Sequence, residues 1–175
     1  MAKILAFAGS NSSTSINYKL VKFTVSELDN HQVQLINMAN FPFPMYSSDF
    51  ETEHGYSNSL VELMKDINNA QGLILSVNEH NGNPSAYFKN VLDWLSRINR
   101  NFLDGTKVFL MATSPGKGGA KHALEVVSKM LPRFGAEIIT DYSLPSFLEN
   151  FDDGIINSEL KEKHQTALQA FLASL

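Results

Sequence analysis

The chain has 175 residues, 43% of them hydrophobic, and a formal net charge of −4 at pH 7. That length suits one domain over residues 1–175, able to bury about 70% of its unfolded surface. An acidic balance with no Lys/Arg cluster argues against nucleic acid as the main partner, and the absence of cysteine excludes disulfides, thiolate catalysis and iron–sulfur ligation.

No apolar run approaches the roughly 20 residues needed to span a bilayer, so a membrane is not expected as a partner. Met1-Ala-Lys-Ile-Leu5 leads directly into a strand without a signal-peptide pattern. A soluble, cytoplasmic protein is the expectation.

Ile4–Ala8 is apolar without polar alternation, which predicts a parallel strand buried on both faces. It stops at Gly9. Ser10-Asn-Ser-Ser-Thr-Ser15 then precedes a helix predicted from Ser15 to Leu28, with Leu20, Val21, Val25 and Leu28 facing inward. Hydroxyls, amides and the free N–H groups of a helix start are what an anion requires, so a phosphate is the first candidate ligand. A serine-rich N-cap with no ligand is the alternative. No Gly-Lys-Ser/Thr closes a P-loop here, and Gly9 is the segment's one glycine, so it is no GxGxxG turn.

His31–Met38 alternates Val33, Leu35 and Ile36 with polar residues and predicts a second strand. Phe41-Pro-Phe-Pro-Met-Tyr46 cannot be regular, because its prolines remove donors and fix φ. A long loop is expected from Ala39 to about Gly55, and long loops in compact domains usually serve function. Leu60, Leu63, Met64 and Ile67 form a helical stripe.

Gly72–Val77 predicts a third buried strand, followed by the turn Asn78-Glu-His-Asn-Gly-Asn83 and a helix opened by Pro84 and running to about Arg97. Thr106–Thr113 predicts a fourth strand, followed by Ser114-Pro-Gly-Lys-Gly-Gly119 and a helix from Ala120 to Phe134 ended by Gly135. Glu137–Thr140 predicts a short fifth strand. After a loop through Asp152-Asp-Gly154, the last helix carries Leu160, Ala167, Leu168, Phe171 and Leu172.

This alternation predicts a three-layer α/β/α fold, a doubly wound, five-stranded parallel sheet. Five strands favour the flavodoxin-like order 2-1-3-4-5 over the six-stranded dinucleotide fold. The order then reverses between the first and third strands, and ligands bind in the crevice at such a switch point. The loops after the first, third and fourth strands meet there.

Gly9-Ser10 with Ser15 and Asn17, Glu79-x-Asn81-Gly82, Lys89-Asn90-x-x-Asp93-Trp94 and Ser114-Pro115-Gly116-x-x-Gly119 together resemble the NAD(P)H-dependent FMN reductase family. The motifs keep that family's order from residue 3 to about residue 135. The resemblance implies FMN as cofactor, NADPH or NADH as co-substrate, and a small-molecule electron acceptor such as a flavin or quinone. It implies that Ser10, Ser15 and Asn17 hold the FMN phosphate, with Ser12 and Ile16 in the same loop. It implies that Glu79, His80, Asn81 and Gly82 border the isoalloxazine, and that Ser114, Pro115, Gly116, Lys117, Gly118 and Gly119 line its pyrimidine side.

There are departures. Ser12 stands where the family usually has an arginine, which weakens the case for NADPH over NADH. His80 stands where it has a tyrosine, and Pro84 comes one place early. His80 is either a proton donor, an aromatic plate or a plain turn residue, and no catalytic residue is otherwise expected, since the flavin carries the chemistry. The five histidines show no ligand spacing, so no metal site is expected. An FMN-binding electron carrier or sensor without reductase activity is the alternative function.

In the helix opened by Pro84, Tyr87, Val91, Trp94 and Ile98 form one stripe and Phe88, Leu92 and Leu95 another. One stripe of about 100° suffices to pack a helix on a sheet. The surplus predicts an interface between like subunits through residues 84–98, and the resemblance implies a homodimer or homotetramer. The alternative is that the Phe41–Gly55 loop covers the second stripe.

Overall fold

The computed structural model describes residues 1–175. Five parallel strands, β1 (Lys3–Ala8), β2 (Gln32–Ile36), β3 (Gly72–Val77), β6 (Lys107–Thr113) and β7 (Glu137–Leu144), form one sheet in the order β2-β1-β3-β6-β7. Counting only the strands of this sheet, that is the expected 2-1-3-4-5. The two strands between β3 and β6 in sequence, β4 (Glu79–His80) and β5 (Asn83–Pro84), make a separate antiparallel hairpin.

The apolar runs of β1, β3 and β6 are covered on both faces, and alternate residues serve opposite cores. Leu5, Phe7, Leu73, Leu75, Val108 and Leu110 meet α3 (Asn58–Asn69), α4 (Ala86–Ile98) and α5 (Lys121–Met130). Ile4, Ala6, Ile74, Phe109 and Met111 meet α1 (Ile16–Ser26) and α7 (Ser158–Ser174), the latter preceded by the single turn α6 (Phe147–Asn150). Such side chains in the middle layer leave no face for water.

Four expectations shift. The segment 39–55 is not all loop: a 3₁₀ turn spans Met38–Asn40 and α2 spans Ser48–His54. Ser47 caps α2 by accepting from Phe50 N–H at 3.1 Å, which supplies a start that an apolar stripe does not announce. α4 starts at Ala86 rather than Pro84, because Pro84 pairs with Glu79 in the hairpin and Ser85 is the cap. α5 ends at Met130 and passes into a 3₁₀ turn, Leu131–Phe134. β7 continues past Thr140 to Leu144, paired with β6 except at a bulge that skips Ile139.

The surplus stripe on α4 is covered by the chain itself. Tyr87 Oη donates to the carbonyls of Met38 and Phe41 at 3.2 and 2.8 Å. Asn90 donates to Pro44 O at 2.9 Å and accepts from Tyr46 N–H at 2.7 Å, and Trp94 Nε1–H donates to Pro44 O at 2.8 Å. Three α4 side chains thus satisfy the backbone of a proline-rich strap that no sheet could satisfy. Trp94 is 2% exposed. The exposed patch from which a partner subunit was expected is therefore absent.

Beyond the strap, Tyr46, Tyr56 and Arg97 all donate to the Glu51 carboxylate, at 3.0, 2.7 and 3.1 Å, which ties α2 to the end of α4. The bond from Tyr56, joined by those from Tyr46 and Arg97, holds its carboxyl below the ordinary range against the opposing push of desolvation, which is second only to the Tyr56 bond. No helix is long and apolar enough to cross a membrane.

Candidate functional site

A cleft of about 230 Å³ opens at the C-terminal edge of the sheet, over β1, β3 and β6, where the strand order reverses. Its lining is almost wholly polar: Ser10, Ser12, Thr14, Ser15, Ile16 and Asn17 from the first loop, Asn78, Glu79 and His80 from the second, Thr113, Ser114 and Pro115 from the third. Nine of these were expected from sequence. Asn81, Gly82, Gly116, Lys117, Gly118 and Gly119 lie on the same two loops but outside the lining.

The first loop is built as an anion cradle. Ser15 is the N-cap of α1, its Oγ accepting from Tyr18 N–H at 3.2 Å. Ser10 Oγ and Ser12 Oγ accept from the N–H groups of Ser12 and Thr14, both at 3.3 Å, which curls the loop. The N–H groups of Ile16 and Asn17, in the first turn of the helix, take part in no hydrogen bond within the chain. Two free donors at a helix N-terminus are a site for negative charge.

Asn17 is 2% exposed and works downward rather than outward. Its Oδ1 accepts from Thr113 N–H at 3.0 Å and Ser76 Oγ–H at 2.7 Å, and its Nδ2 donates to Thr113 O at 3.2 Å. One carboxamide thus joins α1 to the ends of β3 and β6. Its N–H, not its side chain, is what Asn17 offers the cleft.

The third loop likewise leaves donors free, with its carbonyls occupied. The carbonyls of Ser114, Gly116, Gly118 and Gly119 are engaged, by Phe147 N–H, by Gly119 and Ser146 N–H, by Lys121 N–H and by Ser143 Oγ–H respectively. The N–H groups of Lys117, Gly118 and Ala120 are not. The loop therefore presents donors to its surroundings, as a nest does to an anion. At Gly119 (φ +59°) any side chain would be strained: a Cβ there would lie 2.3 Å from Ser143 Oγ and 3.1 Å from Pro145 N.

The second loop is the hairpin β4–β5, turning through Asn81 (φ +53°) and Gly82 (φ +75°). His80 is exposed on it, 3.3 Å from Asn78 Nδ2. The Glu79 carboxylate does not face the cleft alone; Oε2 accepts from Ala123 N–H of α5 at 3.0 Å. Among the lining residues not foreseen, Asn78 and Thr113 each sit at the end of a buried strand. The signal was available, since a polar residue closing an apolar strand at the switch point stands over the ligand crevice. No group of three or more His, Asp or Glu side chains is gathered that could hold a metal ion.

The family described as NADPH-dependent FMN reductase matches residues 2–149. An uncharacterised protein of Mycoplasma pneumoniae is 27% identical over 149 residues, 81% of this chain and 86% of that one. A quinone reductase of Escherichia coli is 33% identical over 79 residues, which span 45% of this chain and 42% of the enzyme. Among solved structures, a flavoenzyme NAD(P)H:(acceptor) oxidoreductase from Paracoccus denitrificans superposes with a TM-score of 0.78 at 20% identity, covering 99% of this chain and 96% of its own.

Proposed function

From the premise that the chain belongs to the NADPH-dependent FMN reductase family, we propose that residues 1–175 form one FMN-binding domain with the cofactor in the cleft over β1, β3 and β6. The protein is an NAD(P)H-dependent oxidoreductase of FMN chemistry. Bound FMN supplies hydride uptake from reduced nicotinamide and delivery of the electrons to an acceptor. The acceptor is a small molecule, a flavin or a quinone.

The chain's own part is to bind and orient. Ser10, Ser12, Ser15 and the N–H groups of Ile16 and Asn17 hold the phosphate; the hairpin Glu79–Gly82 borders the ring. Ser114–Gly119 lines its pyrimidine side, with the Lys117 and Gly118 N–H groups as donors to negative charge there. One observation carries the reading: the N–H groups of Ile16 and Asn17 stand free in the cleft, while the free donors of Lys117 and Gly118 lie outside its lining on the same loop as Ser114 and Pro115. His80, exposed at the rim, is the residue to test for proton delivery.

Three finer points belong to the same reading. Ser12 cannot make an arginine's bidentate contact to a 2′-phosphate, so NADPH should exceed NADH in kcat/KM by less than about a hundredfold. Dependence on reduced nicotinamide favours a cytoplasmic setting. Assembly into a homodimer or homotetramer through residues 84–98 rests on the family resemblance. With the α4 stripe covered, a partner would meet the outer side of the strap, where Met45 is 70% exposed.

The test is an equilibrium titration with FMN, followed by NADH or NADPH without oxygen, in the parent and in Ser12→Asp. The parent should bind FMN and the flavin should bleach. The variant puts a carboxylate in the phosphate loop at an exposed position and should bind FMN about tenfold more weakly. Equal affinity would sink the phosphate placement, and binding without bleaching would favour an electron carrier.

A further inference from the structure

α5 begins without a cap of its own. Ala120, at its N-cap position, is left-handed (φ +61°) and makes no side-chain cap hydrogen bond. It follows Gly119, also left-handed. Two successive left-handed residues, one with a Cβ, are costly unless the surroundings hold them. A helix start also leaves several N–H groups without partners, which a neighbouring acceptor must satisfy.

The acceptor comes from the other loop of the site. Glu79, on the hairpin 44 residues earlier in sequence, reaches across so that Oε2 accepts from Ala123 N–H at 3.0 Å. Its Oε1 lies 3.7 Å from His122 Nδ1, and its side chain is 22% exposed. A carboxylate at this point does what an N-cap side chain does, and its charge complements the positive end of the helix. The opposite side of the loop is held independently, by Ser143 Oγ–H on Gly119 O at 2.8 Å and by Ser146 N–H on Gly116 O at 2.9 Å. Glu79 is thus the side chain that joins the hairpin to the start of α5 by a hydrogen bond.

We propose that Glu79 is a positioning residue: by capping α5 from the hairpin it holds the free N–H groups of Lys117 and Gly118 in place for the cofactor ring. This rests on the FMN reading above.

Glu79→Gln keeps an oxygen for Ala123 N–H and removes the charge; Glu79→Ala removes both. Two measurements on the full chain separate the roles. Amide hydrogen exchange at residues 121–124, without FMN, reports the cap alone. FMN titration reports its consequence. Glu79→Ala should speed exchange at those amides and weaken FMN about fivefold, and Glu79→Gln should restore most of both. Unchanged exchange in Glu79→Ala overturns the cap, and faster exchange with undiminished FMN binding overturns the positioning role. If Glu79→Gln restores exchange but not FMN affinity, the carboxylate acts on the ligand directly and the proposal falls. A parent protein that binds no FMN overturns the functional reading instead, and is told apart because the exchange difference at 121–124 persists.

Discussion

The two ends of the cleft are built on different plans. At the end proposed for the phosphate, the fixed element is a side chain: Asn17, buried beneath the first turn of α1, locks that turn to β3 through Ser76 and to β6 through Thr113. At the end proposed for the ring, the working surface is backbone, bent through Asn81, Gly82, Gly119 and Ala120 at positive φ. There the fixing groups, Glu79, Ser143 and the Ser146 and Phe147 N–H groups, reach in from other elements. Replacing a hub of one buried amide strands every group that it pairs. A backbone surface keeps its shape while the side chains along it vary, which explains why His80 and Lys117 are exposed and only lightly engaged.

The largest effect is expected at Asn17. Asn17→Ala leaves Thr113 N–H, Thr113 O and Ser76 Oγ without their partner in a buried place. Each such group costs roughly 1–3 kcal/mol, so a total loss of about 4 kcal/mol is expected in urea unfolding. A loss below about 1 kcal/mol would mean that water replaces the amide and that the hub is not structural. At the ring end, Gly119→Ala combines left-handed strain with the collision against Ser143 and Pro145 and should cost about 3 kcal/mol. FMN affinity should fall with it, because the same loop carries the free donors. Stability lost with FMN affinity kept would detach the loop from the site.

The difference between the ends also explains what could be read from the chain. Ile4–Ala8, Gly72–Val77 and Val108–Thr113 announce buried strands, because a strand covered on both faces must be apolar throughout. The first loop is legible for a related reason: hydroxyls before a helix have local partners, and Ser15 caps α1 three residues on. The strap is not legible that way. Its carbonyls are satisfied by Tyr87, Asn90 and Trp94, some 45 residues later, and no local pattern records that debt. The hairpin was missed because its strands are two residues long, and the cap on α5 because its acceptor sits on that hairpin.

The phosphate end should also respond to acid, through the far end of α1. His164 of α7 is fully buried, with its ring against Phe23, Phe109 and Tyr142. Thr24 Oγ1–H donates to Leu20 O, so the His164 Nε2–H donates to Thr24 Oγ1 at 2.8 Å, and Nδ1 has no partner. Burial pushes the His164 pKa down to about 4. The unfolded chain takes up this proton near pH 6.5 and the folded one only near pH 4, so stability is full above pH 6.5 and falls on acidification between the two values. The loss approaches about 3 kcal/mol at pH 4. His164→Gln should flatten that part of the stability profile measured by urea unfolding. An unchanged slope would assign the acid sensitivity to other groups.

The smallest effect is expected at Lys117. Lys117 sits in the middle of the third loop, exposed, with no ion pair and no side-chain hydrogen bond. It is the cation nearest in sequence to the free donors, and so the first candidate to replace the arginine absent at Ser12. If the ring end works through backbone alone, Lys117→Ala removes only a solvated charge, and FMN affinity should change by less than about twofold, the scale of a screened surface interaction. The ratio of kcat/KM for NADPH and NADH should stay within the same factor. A fall of tenfold or more in FMN affinity, lost again at high salt, would place the ammonium on the cofactor. A selective fall for NADPH would place it on the 2′-phosphate. Either result would give the ring end a side-chain anchor and remove its contrast with the phosphate end.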